Sequence, residues 1–215
     1  LHTSIPIPVQ ADLDVGDGSQ HRTVRYAVRN GFWDRDERRF GGFLRAYTTE
    51  AGTTDEDTLA TEVWYHQGLG NNRVLRGKPQ ITKVKDGSGF QFQVISHSLQ
   101  ALLLENLDQN PLLALPVVTQ TQTLINEKAG SAPAVTLTRT LYDSVEGYPI
   151  RITNEGHMAQ SGDEQIIVHT YLPSEEGGPR GIVCEERTYA SLGDLSANNY
   201  ATRVATVYDD NTNPS

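Results

Sequence analysis

The chain has 215 residues, enough for one large or two small domains with a substantial buried core. Hydrophobic residues make up 37% and charged residues 21%, a balance that excludes a disordered chain. Against 18 Lys and Arg stand 27 Asp and Glu, a formal net charge of −9, which argues against nucleic acid or an anionic membrane as partner, because phosphate binding needs a basic face.

In chain order the dominant period is two. The first turn cluster is DVGDGSQ at 14–20, and it overlaps an acidic loop, DLDVGDGS at 12–19, with the residue types of a calcium site but not its spacing. Val24, Tyr26 and Val28 then alternate with Thr23, Arg25 and Arg29. Phe90, Phe92 and Val94 alternate with Gln91 and Gln93, and Ile166 and Val168 with Ile167, His169 and Tyr171. Near the end, Arg203, Ala205 and Val207 alternate with Val204, Thr206 and Tyr208. Alternation enriched in Val, Ile, Thr and Tyr is the signature of strands. Between these runs lie TEAGTTDED (49–57), GLGNN (68–72), DGSG (86–89), EKAGSAP (127–133), SEEGGPRG (174–181) and SLGDLSANN (191–199), all rich in turn formers. Only 98–107, SLQALLLENL, reads as either a helix or a buried strand, and its apolar run is too short to cross a bilayer as a helix. The expected fold is all-β and antiparallel, with ten to twelve strands in hairpins. The chain opens at Leu1 and holds one methionine, Met158, which predicts a segment of a longer protein.

One stretch departs from the pattern. RNGFWDRDERRFGGF, 29–43, holds four arginines, three acids, three glycines and four aromatics. As a calcium loop, Asp34, Asp36 and Glu37 would supply the ligands, yet Arg35, Arg38 and Arg39 interrupt them and repel a cation. As a sugar platform, Trp33 would act with Trp64 and Tyr65, against the plainer reading that large rings pack in a core. As a structural corner, Asn30-Gly31 offers tight-turn chemistry, and the acids pair with Arg35, Arg38 and Arg39 in guanidinium forks. Gly41 and Gly42 then let the backbone bend or approach a neighbouring strand between Phe40 and Phe43. The corner is the reading adopted.

Nothing else in the sequence carries chemistry. Cys184 is the only cysteine, so no internal disulfide or thiol cluster is possible; the acids that follow it suit a buried strand residue better than a nucleophile. His2, His21, His66, His97, His157 and His169 lack the i,i+4 pairing of a helical zinc site. No glycine-flanked nucleophile turn or phosphate-binding loop is present. No catalytic, cofactor-binding or metal residue is assigned.

Together with three segments later in the chain, the 29–43 stretch resembles a signature of the B component of bacterial insecticidal Tc toxin complexes and related RHS (YD-repeat) proteins. TEVWYHQG at 61–68 and VLRGKPQ at 74–80 resemble that family's next two strands in order. LYDSVEGYPIRITNEG at 141–156 resembles a YD repeat, and TVYDDN at 206–211 the start of another. Gly41 stands where the family often has arginine, and 157–200 has irregular repeats.

The resemblance implies a lead-in at 1–21, a Tc-toxin-B-like middle region at 22–140 and YD/RHS-like hairpins at 141–215. It implies a spiral sheet forming part of a β-shell in a secreted bacterial virulence protein. The shell would enclose a toxic C-terminal domain of the same polypeptide, with a Tc A-type translocation subunit as a further partner. The segment would be structural, not enzymatic, and need no cofactor. The alternative is a carbohydrate-binding or adhesin β-sandwich.

Overall fold

A computed structural model describes residues 10–16, 21–52, 58–104, 114–127, 132–173 and 181–208, with side chains from residue 23 onward. Among them lie twelve strands: β1 (Gln10–Gly16), β2 (His21–Asp34), β3 (Arg39–Glu50), β4 (Leu59–Tyr65), β5 (Pro79–Asp86), β6 (Gln91–Leu103), β7 (Ala114–Ile125), β8 (Ala134–Tyr142), β9 (Pro149–His157), β10 (Gln165–Tyr171), β11 (Val183–Tyr189) and β12 (Thr202–Ala205). They form one sheet whose strand order is the chain order. Pairing is antiparallel from β1 to β6 and from β8 to β12. The fold is therefore all-β, as the alternation predicts. A β-sandwich needs two packed sheets, and the strand order shows one.

The ambiguous stretch at 98–107 resolves as strand over 98–103, where it completes β6; residues 105–107 lie outside the described part. Two helical pieces sit where the sequence suggests only turns. GLGNN leads into a 3-10 segment, Gly70–Leu75, and SLGDLSANN contains α1, Leu192–Ala197. Ser191 caps α1 by accepting from Asp194 N–H at 3.1 Å, and the chain leaves it through Asn198 in the left-handed region (φ 55°). No helix among the described residues is long and apolar enough to cross a membrane.

The sheet divides into two compact units, 1–97 with 123–133 and 98–122 with 134–215. The first buries Val24 and Leu75 among its apolar side chains. The second buries Val117, Leu137, Ile166, Cys184 and Tyr189. Cys184 donates its thiol to the Thr170 carbonyl at 3.3 Å, the buried strand position its sequence context suggests.

One device closes hairpins in both units. An Asp at a strand end turns its carboxylate onto the backbone N–H groups that follow, giving the turn a local partner for its exposed donors. Asp34 Oδ1 accepts from Asp36 N–H (3.1 Å) and Glu37 N–H (3.2 Å). Asp86 Oδ1 accepts from Ser88 and Phe90 N–H, both at 2.9 Å. Asp143 Oδ2 accepts from Val145 N–H (3.1 Å) and Glu146 N–H (2.6 Å), with Gly147 (φ 79°) completing the turn. The Tyr142-Asp143 pair thus stands at a hairpin between β8 and β9. In TVYDDN, Asp209 lies outside the described residues.

Candidate functional site: a hairpin corner tied by arginine

The 29–43 stretch is the β2–β3 hairpin. Its turn is not Asn30-Gly31 as expected but Arg35–Arg38, four residues on, with Arg38 at φ 51°. Asn30, at φ 56°, lies inside β2. Asn-Gly chemistry serves there as a local backbone adjustment, because the Asp34 carboxylate fixes the turn downstream. A second irregularity sits on β3. Phe32 pairs with Gly42 and Trp33 with Phe40, leaving Gly41 as the extra residue of a bulge.

The two glycines are required for different reasons. A Cβ on Gly41 would lie 2.2 Å from the nearest atom of the Phe32 ring, so the ring occupies the space a side chain would need. Gly42 has open space around it but sits at φ 100°, which L side chains rarely adopt. Alternation and pairing place Trp33, Phe40 and Phe43 on one face, with the Phe40 and Phe43 rings edge-on at 5.0 Å. Phe32 and Asp34 take the other.

The acids pair with arginines some forty residues away, partners beyond the local ones expected. Arg76, next to the 3-10 segment, binds Asp34 Oδ2 through Nη2 and Glu37 Oε2 through Nη1, the latter at 2.5 Å. Arg73 reaches Asp36 at 2.9 Å. Arg39, one of the local partners expected, donates from Nε to Glu37 Oε2 at 2.6 Å. The Arg76 and Asp34 side chains are only 12% and 10% exposed. Arg76 also lies 5.8 Å from the centre of the Phe32 ring, so bulge and ion pairs form one assembly. The 66–78 loop is held to this corner by Gln67, which donates to the Asn30 carbonyl at 3.3 Å.

The electrostatics follow. Asp34 is held below the ordinary carboxylate range, first by the Glu37 N–H and then by Arg76, against the opposing effect of burial. Glu37 is lowered by its bonds from Arg76 and Arg39, and Arg76 is raised, chiefly by Glu37. The carboxylates proposed as calcium ligands thus face guanidinium groups, which a cation would have to displace. Among the described residues no cluster of three or more His, Cys, Asp or Glu is arranged to hold a metal. Of the other calcium candidate, 12–19, residues 12–16 lie in β1 and not in a loop, and none of its side chains is described.

The sugar platform does not assemble. The Arg45 guanidinium stacks 3.5 Å from the centre of the Trp64 ring, and Trp64 Nε1–H donates to Glu62 at 2.8 Å. Glu62 also accepts from Lys85 Nζ (3.1 Å) and Tyr47 Oη (3.3 Å). Burial pushes the Glu62 carboxyl up, but these donors outweigh it and leave the pKa lowered. Tyr65 follows Trp64 directly on β4 and so points to the opposite face. Trp33, at 41% exposed, is neither a fully packed core ring nor part of that group.

The second unit repeats the use of arginine. Glu185, 6% exposed, accepts from Arg203 across the β11–β12 pair and from Arg187 at 2.8 Å. Arg203 first and Arg187 second hold its carboxyl below the usual range. Spacing could not reveal Arg73, Arg76 or Glu62 as partners. The one signal for Arg76 is its place in VLRGKPQ.

These features define a class: an antiparallel sheet wound in chain order, its hairpins closed by aspartate and its corners tied by buried arginine–carboxylate pairs. No family model and no curated protein matches the sequence. Solved structures match its fold. The chain is similar to TcdB2-TccC3, a Tc toxin structure, without its hypervariable C-terminal region, with a TM-score of 0.70 at 16% identity over 91% of this chain and 14% of that one. It is also similar to TcdB2-TccC3-Cdc42 (0.64, 14% identity, 78% of this chain and 12% of that one) and to TcdB2-TccC3 itself (0.63, 15%, 78% and 12%). The shared feature is the fold, and this chain spans 12% to 14% of their length.

Proposed function

We propose that this chain is a wall segment of an RHS/Tc-type β-shell, structural and not enzymatic, in a secreted bacterial toxin protein. The observation that carries the reading is a single sheet in chain order whose fold follows a TcdB2-TccC3 structure over 91% of the chain. The ion-paired corner supports it as well. Guanidinium groups occupy the acids that a metal or a general acid–base site would need, so the site's chemistry is spent on holding strands in place. In this reading the neighbouring wall comes from the rest of the same polypeptide, the shell encloses a toxic C-terminal domain, and an A-type subunit receives the assembly.

Limited proteolysis of the full polypeptide tests the enclosure. The C-terminal domain should resist protease while the corner is intact and become sensitive once the wall unfolds. Digestion of that domain at its native rate in the intact protein overturns the reading.

A further inference from the structure

We propose that His169 is a pH-sensitive clasp across three strands of the second unit. Its two ring nitrogens both face acceptors: Nδ1 lies 3.3 Å from the Pro149 carbonyl on β9, and Nε2 lies 3.1 Å from Glu186 Oε2 on β11. A carbonyl and an ionised carboxylate can only accept, and a neutral imidazole has a single N–H. With one proton the ring satisfies one partner and turns a lone pair on the other. With two it donates to both and joins β9, β10 and β11.

The surroundings isolate the pair. His169 and Glu186 are directly opposite in the β10–β11 register. On β9, Arg151 is paired with Val168 and so belongs to the other face, and alternation places Glu185 and Arg187 of β11 there too. Glu186 pairs on β12 with uncharged Val204. The remaining titratable neighbours are Tyr171, whose ring is 6.2 Å from that of His169 and whose hydroxyl donates to the same Pro149 carbonyl at 2.9 Å, and Tyr148, 5.0 Å from Tyr171. Burial, with a smaller effect of Tyr148, raises the Tyr171 pKa, so its hydroxyl remains a donor at neutral pH. Among the described residues Glu186 is therefore the anionic partner, and whether the ring carries one proton or two decides whether the clasp closes.

Hydrogen exchange of the full chain at pH 5.5 and pH 8.5, corrected for intrinsic rates, tests this. Peptides spanning 149–171 and 183–189 should lose protection about three- to tenfold at the higher pH. In Glu186→Gln the amide can donate to a neutral Nε2 while Nδ1–H serves Pro149, so protection should stay high at both values. His169→Phe should give low protection at both. Equal pH responses in the wild type and Glu186→Gln, or no response in the wild type, would overturn the proposal.

Discussion

Replacing Gly41 by alanine isolates the packing of the corner from its backbone strain. The added methyl would lie 2.2, 2.5 and 2.7 Å from three carbons of the Phe32 ring. Carbon contacts relax at about 3.5 Å, so the ring must withdraw by roughly 1.3 Å. It cannot do so freely, because Arg76 lies beside it and is fixed by Asp34 and Glu37. Overpacking of this kind costs about 2–3 kcal/mol, more than the roughly 0.4–1 kcal/mol gained by restricting the unfolded chain. In a Phe32→Ala background the obstruction is gone, so Gly41→Ala should be neutral or stabilising by up to about 1 kcal/mol. The coupling energy is then about 2–3 kcal/mol. Gly42→Ala is the control: it meets no atom but sits at φ 100°, so it should cost about 1–3 kcal/mol in either background. Urea unfolding followed by tryptophan fluorescence gives all the values. An equal cost for Gly41→Ala with and without the Phe32 ring would refute the reasoning.

Arg76→Met should lower the melting temperature at pH 7. Asp34 and Glu37 have lowered pKa values in the fold, so their stabilisation is present above their unfolded values of about 4 and is lost as pH falls through that range and below. The gap between variant and wild type should therefore narrow toward about pH 3; a gap independent of pH would show that the ion pairs do not carry the effect. Trp33→Ala should cost about 2 kcal/mol, less than the 3–5 typical of a buried ring, because the side chain is 41% exposed; a chemical melt within about 0.5 kcal/mol of wild type would make the ring a free surface group. The isolated 215-residue chain should self-associate in light scattering, since β12 ends the sheet with every residue exposed. Val204→Lys should reduce that association, and a monodisperse wild-type monomer at high concentration would contradict it. Chelator should leave the melting temperature unchanged, whereas a loss restored by calcium would direct attention to residues 12–19.

Strands are legible in the sequence because a half-buried strand alternates, and a run such as Phe90–Val94 does so without interruption. The turn of the 29–43 stretch is not, because Asn-Gly shows only that the backbone can adopt positive φ, and here that freedom is used within β2. The Asp34 carboxylate, which sets the real turn, looks like any acid in a charged run. Pairing of Asp34 with Arg76 is a contact across 42 residues, fixed by where β4 and the 3-10 segment return and invisible to local spacing. The helix α1 does leave a trace: Ser191 three residues before Asp194 is a capping pattern, masked by the glycine and asparagines around it. His169 is one of six histidines in the sequence, and only the β9–β11 register shows that both its nitrogens face acceptors.

The central claim is that these strands are part of a shell wall, and a cryo-EM map of the full polypeptide containing this chain tests it most directly. The expected result is a hollow particle in which β1 to β12 follow one another along the wall and further chain continues the sheet on the β12 side. A compact particle in which this segment folds into two packed sheets, with no enclosed space, would contradict it.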